Sequence, residues 1–444
     1  MRIVIAGTGE VGSHLAKLLS REEQDIVVVD DNAQKLAMLD ANYNLMTCLG
    51  SPVSFRTLAD AGVDEADLFI AVTPYEECNV TACSIAHYLG AKRTVARIDN
   101  YEFMKPEHKG YFNSIGISDV IYPEYLAAVE IKTALKRGWA RNWFELKDGE
   151  IILIGVKVRE NAEIVGHQLK ELTMSQHNYH VSAIKRRRQT IIPRGDDVIM
   201  SHDIIYFTTT PDHVEYIRKI CNKISYKVKR IMILGGSRIA VRLVQMAPPD
   251  WKITIIESDA DRCRRLPELC PECEIIHADG KDNDVLIDEG ISETDAFIAL
   301  TDSSETNILA CLTAKEFGVN KTIAEVENIQ LIYQAEGLNI GTIINKKLLA
   351  SSKIFQVLID SDTESSKFMS LADAEVAELE VKSGSKISRK PVRDLNLSRD
   401  ITLGGLVRDG KGMLVTGNTV FQPGDRVVVF CLSGQIHKLE KLFS

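Results

Sequence analysis

An α/β fold with two doubly wound parallel sheets, each followed by a small α+β lobe, is predicted by three observations. The chain opens on "RIVIAGTGEVGSHLAKLL", where an apolar, β-branched run passes through three glycines into apolar residues at helical spacing. A shift of 228 residues lays that stretch on "RIMILGGSRIAVRLVQMA" and repeats the pattern. After each copy, the alternation of apolar strands with helical segments gives way to short strands and turns.

Composition sets the bounds. A length of 444 residues allows roughly two to four domains. With 45% hydrophobic and 26% charged residues, the chain has enough apolar material to bury real cores. The formal net charge of -9 argues against a nucleic-acid partner, because phosphate binding needs concentrated Lys and Arg. No apolar run approaches the ~18–20 residues of a membrane span, and the first residues enter a strand pattern directly, so the expected location is the cytoplasm. Nine scattered cysteines, an odd number, fit reduced thiols better than a disulfide framework.

The first copy begins with the strand "RIVIAG" and the turn holding Gly7, Gly9 and Gly12. Gly7 makes the tight turn, Gly9 lets backbone approach a pyrophosphate, and Gly12 lets helix and strand pack, while the helix N-terminus offers free N–H groups. The next strand, "QDIVVVDDN", ends at Asp30, 21 residues past Gly9. A carboxylate there accepts ribose hydroxyls and disfavours a 2′-phosphate, which favours NAD(H) or an adenine nucleotide over NADP(H).

The repeat runs on: "LADAGVDEADLFIAVT" (Leu58–Thr73) lies on "LIDEGISETDAFIALT" (Leu286–Thr301), and "NVTACSIAHYLGAKRTVARIDN" (Asn79–Asn100) on "NILACLTAKEFGVNKTIAEVEN" (Asn307–Asn328). Residues 1–122 and 228–344 are therefore expected to form two Rossmann-like units. Crossover helices are expected in "PEYLAAVEIKTALKRGW", within a linker at 123–143, and in "NKKLLASSKIFQVLI", within a linker at 345–367 that ends in the polar "DSDTESSK". The small lobes fall at 144–225 and 368–444. In them "PRGDDVIMSHDIIYF" and "VTGNTVFQPGDRVVVF" each suggest turn, strand, Gly/Asp turn, strand.

This duplicated layout resembles the RCK (regulator of K+ conductance) architecture and, more closely, the peripheral regulators of Trk potassium-uptake systems, over essentially the whole chain. The residues that carry the resemblance are the glycine loops at Gly7 and Gly235, "VVVDD" and "TIIES", "FIAVT" and "FIALT", and "VARIDN". It implies a cytoplasmic ring, assembled as a homotetramer with eight Rossmann-like lobes, on the inner face of the membrane. Its partner would be a separate, membrane-embedded Trk-type potassium transporter, with NAD(H) and/or ATP/ADP as regulatory ligands.

Carried over by position, the first site comprises Gly7, Thr8, Gly9, Glu10 and Val11 around the pyrophosphate and Asp30 at the ribose. Ser51 and Thr73 would face adenine and the cleft, and Arg97 would be the phosphate cation. Where the family carries Gly-Asp, this chain departs with Gly50-Ser51. The second site comprises Gly235, Gly236, Ser237, Arg238, Ile239, Glu257, Asp279 and Thr301. There Ser237 and Ala240 stand in place of Gly9 and Gly12, and Glu325 in place of Arg97, so the second site is expected to be weaker or differently selective.

Other constellations carry less. Cys263, Cys270, Cys273 and His277 have the ligand count for zinc at a spacing that is suggestive only, and no metal is expected. "IKRRRQ" (Ile184–Gln189) reads as a solvated turn or strand end, with contact to anionic headgroups or an acidic partner as the alternative. His14 is expected to be an exposed helix residue, and Asn79 and Asn307 either cap a helix or touch ligand. An NAD-dependent dehydrogenase with two Rossmann-like domains is the enzyme alternative. It needs an acid/base set beside the nicotinamide, and the small lobes offer no obvious convergent set: His167, His177 and His180 have no counterpart in the second copy. No Walker lysine occurs either, so a non-enzymatic switch is the favoured expectation.

Overall fold

The computed structural model describes all residues except 21–23, 147–148, 174–177, 188, 339, 360–368, 372–373, 433–441 and 444. The chain divides into two units, Met1–Ala127 with Lys346–Ser361, and Ala128–Asn345 with Asp362–Ser444.

The first unit is built on six parallel strands, Arg2–Ala6, Asp25–Asp30, Met46–Leu49, Leu68–Ala71, Thr94–Arg97 and Asp119–Ile121 (β1 to β6), in the order β3-β2-β1-β4-β5-β6. This is the doubly wound Rossmann order, reversing between β1 and β4. Its strands read "RIVIA", "DIVVVD" and "LFIA" without polar alternation because helices cover both faces. Those helices are Glu10–Leu19, Ala33–Asn42, Phe55–Asp60, Glu76–Leu89 and Lys109–Ser114 (α1 to α5). The helix Pro123–Lys136 (α6) then carries the chain into the second unit.

The second unit opens with an antiparallel sheet of Asn142–Leu146, Ile151–Lys157, His180–Arg186, Gln189–Ile191 and Ile204–Thr209 (β7 to β11), ordered β10-β9-β11-β8-β7, with helices Leu169–Thr173 and Val214–Ile220 (α7, α8). A second parallel sheet follows, Arg230–Leu234, Lys252–Glu257, Glu274–His277, Ala296–Ala299, Lys321–Glu325 and Thr342–Ile344 (β12 to β17), in the same order as the first. Its helices are Arg238–Gln245, Ala260–Leu269, Asn283–Asp288, Ser304–Glu316 and Ile329–Gly337 (α9 to α13). The helix Lys346–Ile359 (α14) belongs to the first unit, where it packs on α1 and β6 and where Arg93 donates to the Val357 carbonyl at 2.7 Å. His14, expected to be exposed, is half-buried on this helix-flanked α1. The last sheet joins Met369–Leu371, Ala374–Glu380, Ile401–Arg408, Lys411–Leu414 and Arg426–Leu432 (β18 to β22) in the order β18-β19-β22-β20-β21.

The duplication is visible in detail. Asp67 receives the N–H of Arg2 at 2.8 Å and Asp295 that of Arg230 at 2.9 Å, so the same carboxylate secures the start of both sheets. Gly62 and Gly290 make the same left-handed turn, at φ 69° and 76°.

The two antiparallel sheets share one core, in which Leu153, Ile204 and Tyr206 of the first meet Val376, Val428 and Phe430 of the second. Gly404 allows this approach, since a Cβ there would fall 2.6 Å from the Thr208 hydroxyl and 2.8 Å from that of Ser182. The strands expected near Val198 and Val420 are absent as strands. Backbone bonds tie the first segment to residues 166–170, with Gly166 donating to the Ile199 carbonyl at 2.9 Å and Leu169 to that of Asp197 at 3.0 Å. Side chains add to them: Arg186 donates to the Val198 carbonyl at 2.7 Å, and Asp203 accepts from the Met200 N–H at 2.9 Å. Arg408, Val420, Asp425 and Gln422 repeat these side-chain bonds in the second sheet.

Candidate nucleotide-binding site

In the first unit the expected residues gather along the carboxyl edge of the sheet, where doubly wound folds bind ligands. Strands β1, β2, β4 and β5 end at or just before Gly7, Asp30, Thr73 and Arg97, and Ser51 follows β3 by two residues.

Gly7 sits at φ 108° with its N–H on the Val29 carbonyl, and a Cβ there would be 2.9 Å from the Thr73 nitrogen. At Gly12 a Cβ would lie 1.9 Å from the Gly7 carbonyl oxygen, so this glycine exists for packing. Gly9 differs from both. It occupies the N-cap of α1 with no side chain capping the helix, and a Cβ on it would find nothing closer than the Val72 carbonyl at 3.9 Å. The start of α1 thus has neither a capping side chain nor a Cβ at Gly9, an arrangement suited to a phosphate. Glu10 begins that helix and Val11 points into the core.

Asp30 is oriented by two backbone donors, the N–H of Thr8 at 2.6 Å on Oδ2 and that of Asn32 at 2.9 Å on Oδ1. Burial raises its pKa, but these N–H groups and the nearby Lys35 charge outweigh it and hold the carboxyl below its ordinary value. Ser51 is exposed, its hydroxyl accepting the Val53 N–H at 3.4 Å. Thr73 is buried and bonded to Asn79, whose Oδ1 accepts its N–H at 2.8 Å and its hydroxyl at 2.7 Å. The Asn79 amide also donates to the carbonyls of Thr73 and Arg97. Asn79, left open between cap and ligand contact, fastens the end of β4 to the end of β5, and Asn307 does the same with Thr301 and Glu325.

Arg97 is the cation of this edge. Its guanidinium stands 3.7 Å from Asp99 and 3.9 Å from Glu124, long for ion pairs, and its buried Nε has no hydrogen-bond partner. Glu124 escaped the sequence reading. Its signal was a carboxylate in the first turn of the crossover helix, where the helix dipole favours a negative charge.

The second unit holds the equivalent positions differently. Gly235 keeps the turn at φ 97°, with Leu300 and Thr301 backbone against it. Ser237 caps α9, its hydroxyl accepting the Ala240 N–H at 3.4 Å, so a side chain occupies the position left clear at Gly9. Arg238 is exposed and Ile239 buried. Glu257 accepts the Gly236 and Asp259 N–H groups, as Asp30 does its own pair, and in addition meets Arg262 at 3.3 Å. That arginine was not foreseen, although a basic residue five positions past the acid occurs in both copies, as Lys35 and Arg262. Asp279 is exposed beside Lys281 at 3.6 Å. Glu325 pairs with Ile344 in the register that Arg97 shares with Ile121, so a buried carboxylate replaces the cation.

The remaining candidates resolve locally. Cys263 donates to the Glu257 carbonyl and His277 contacts that of Ser258 at 3.2 Å; among the described residues no cluster of metal-binding side chains occurs. In "IKRRRQ", Lys185 is buried, Arg186 is paired with Asp203, and Arg187 turns at φ 56°. Arg188 and His177 lie outside the described residues. His180 contacts the Thr402 hydroxyl at 2.9 Å, and burial pushes its pKa down to about 4.

The TrkA-N domain model matches residues 3–123 and 231–346, and the TrkA-C domain model matches 153–222 and 376–444. The Trk system potassium uptake protein TrkA of Azorhizobium caulinodans is 29% identical over 451 residues, covering 100% of this chain and 98% of its own. That of Halomonas elongata is also 29% identical, over 452 residues with the same coverage, and a TrkA homolog of Archaeoglobus fulgidus is 28% identical over the full length of both chains. Among solved structures, the RCK domain of GsuK aligns over 100% of this chain and 94% of its own, with a TM-score of 0.62 and 15% identity. The GsuK channel bound to NAD aligns with a TM-score of 0.61 at 15% identity, over 100% of this chain and 78% of its own. These two show the shared fold.

Proposed function

The chain belongs to the TrkA family, and from that premise we propose that it is the nucleotide-sensing regulatory subunit of a Trk-type potassium transporter. Its relatives carry the name of that uptake system over their full length. In this reading the chain assembles as a homotetrameric ring on the cytoplasmic face of the membrane and biases the gate of a separate pore subunit. Among the described residues no helix is long and apolar enough to cross a membrane, in keeping with a pore supplied by another polypeptide.

The observation that carries the proposal is the uncapped first turn of α1 on the same carboxyl edge of the sheet as Asp30 and Arg97. It offers N–H groups and a cation for a diphosphate and a carboxylate for a ribose, which suits NAD(H) as well as ATP or ADP. One GsuK structure has NAD bound. The nucleotide acts as a signal. A ligand that binds two states of a ring unequally shifts their balance by that difference alone, and a few kcal/mol over several sites is enough.

The test is calorimetric titration of NAD, NADH, ATP and ADP into the purified chain and its Arg97→Glu variant, with NADH absorbance followed alongside. The pore subunit is then reconstituted with the chain and potassium flux is measured with and without the ligand that bound. Binding lost in Arg97→Glu, ligand-dependent flux and no nucleotide consumption support the reading. Turnover of the nucleotide with a small metabolite overturns it in favour of a dehydrogenase.

A further inference from the structure

A cavity of 760 Å³ opens in the second unit between the first antiparallel sheet and the edge of the second parallel sheet. It lies apart from the strand ends that form the nucleotide clefts. Its lining brings together Arg141, Lys157, Arg159 and Lys223 from one side and Lys315 and Lys321 from the other, six cations against one carboxylate, Glu160, among the described residues. In a chain of net charge -9 such a concentration is local rather than a general excess.

Two of these cations are held in an unusual way. Lys321 is 5% exposed, and its amine donates to the Ala140 carbonyl at 2.9 Å; the Lys315 amine donates to the carbonyls of Val319 and Asn320. Their direct partners are thus neutral oxygens. Burial, together with the charges of Lys315 and Arg141, pushes the Lys321 pKa down to about 7, with Glu130 opposing. Burial and Arg159 push Lys315 down to about 8, against the Cys311 thiol, and Lys223 is lowered by burial and by Arg159 and Lys157. His202 completes the titratable lining. Crowding like charges in a half-closed space is unfavourable, and an entering anion relieves it.

We propose that this cavity is an anion site for a ligand bearing two or more phosphates, either inorganic or the tail of a nucleotide. The volume is within the range of small-molecule pockets and exceeds the need of a single phosphate. Lysines and arginines converging from two sides suit an elongated, multiply charged phosphoanion. Because the ligand bridges two lobes of the unit, its binding would fasten them together.

The experiment titrates inorganic pyrophosphate, and separately ATP, into the full chain and into Lys321→Met, Arg159→Gln and Arg97→Gln. Pyrophosphate binding at the cavity is expected to weaken about tenfold in Lys321→Met and severalfold in Arg159→Gln, while Arg97→Gln identifies any binding that belongs instead to the first nucleotide cleft. At pH 8, titrations in two buffers of different ionisation enthalpy should show proton uptake on binding, because the anion restores charge to Lys321 and Lys315; Lys321→Met should lose most of it. If Arg159→Gln also removes an ATP-binding event, the tail of a nucleotide is the ligand; if it weakens pyrophosphate alone, the ligand is inorganic. Arg159 is exposed, so its variant keeps the test open even if Lys321→Met fails to fold. No pyrophosphate binding, or binding removed by Arg97→Gln and untouched by Arg159→Gln, overturns the proposal.

Discussion

Arg262 places Nη1 3.3 Å from Glu257 Oε2, so the acid at the ribose position of the second cleft already has a cation. At the same place in the first cleft, the Thr8 and Asn32 N–H groups hold Asp30 and Lys35 acts on it through its charge. The Arg262→Gln change is expected to free Glu257 and raise nucleotide affinity at the second cleft about threefold to tenfold. Because the arginine is 40% exposed, the cost to stability should stay below about 1 kcal/mol. Calorimetric stoichiometry is the measurement: a rise toward two ligands per chain supports the idea, and an unchanged isotherm sinks it.

Gly9 and Gly12 separate ligand from fold. A methyl at Gly12 would collide with the Gly7 carbonyl at 1.9 Å, and Gly12→Ala should lower unfolding stability by about 2–3 kcal/mol. At Gly9 the methyl meets open space and φ is -64°, which any residue adopts. Gly9→Ala should therefore fold normally and bind nucleotide at least tenfold more weakly, by about 1.4 kcal/mol or more. Denaturant titration and calorimetry on the same two proteins decide it; a Gly9→Ala protein that binds like wild type removes the phosphate from this turn.

Much of this was legible in the sequence because the chain states it twice. The glycine turn, the acid at Asp30 or Glu257 and the strand ends at Thr73 or Thr301 follow from local spacing, which a duplication lets one check. The crossing of α14 onto α1 was not legible, since apolar periodicity says that a helix is buried but not against what. The partners of Arg186 and Arg97 were hidden for a similar reason. A run of basic residues looks solvated until a carboxylate arrives from 17 residues away, as Asp203 does, or from the next helix, as Glu124 does. Asn79 stayed open between cap and ligand contact because its bonds to Thr73 and Arg97 join two strand ends that only the folded sheet brings side by side.

Asp203 is buried and takes both Nε and Nη2 of Arg186, at 3.0 and 2.7 Å. Asp425 does the same for Arg408, at 2.8 and 2.6 Å. Replacing either acid by asparagine leaves a partly buried guanidinium without its counter-charge and strands the loop N–H it held, a loss of about 3 kcal/mol. Asp203→Asn and Asp425→Asn should lower the melting temperature by similar amounts. A marked inequality would show that the two lobes are not equally dependent on their copies of the motif.

Asp30 gives the first unit a pH dependence whose direction can be worked out. Its folded pKa lies below the ordinary 3.8, so its contribution is complete above that value and is lost as pH falls through the lower folded one. Asp30→Asn turns an acceptor into a donor facing the N–H of Thr8 or Asn32 and should cost about 1 kcal/mol at pH 7 after solvent screening. The gap between variant and wild type should narrow on acidification below 3.8. Urea midpoints at pH 7 and pH 3 measure it, and a gap independent of pH excludes the ionised carboxylate as the source.

Arg97 tests whether the unequal clefts have a functional meaning. Its contacts with Asp99 and Glu124, at 3.7 and 3.9 Å, are too long to hold much stability, and its Nε lacks a partner. Arg97→Gln should therefore change unfolding stability by less than about 1 kcal/mol. If the guanidinium turns from these acids to a phosphate when nucleotide enters, the same change removes a charge-assisted bond worth about 1.5–3 kcal/mol, weakening binding roughly tenfold to a hundredfold. A structural arginine predicts the opposite pattern, a destabilised fold with affinity kept. The reciprocal variant, Glu325→Arg, puts a cation at the second cleft and should strengthen binding there, most clearly when combined with Arg262→Gln, which leaves Glu257 open to a ribose.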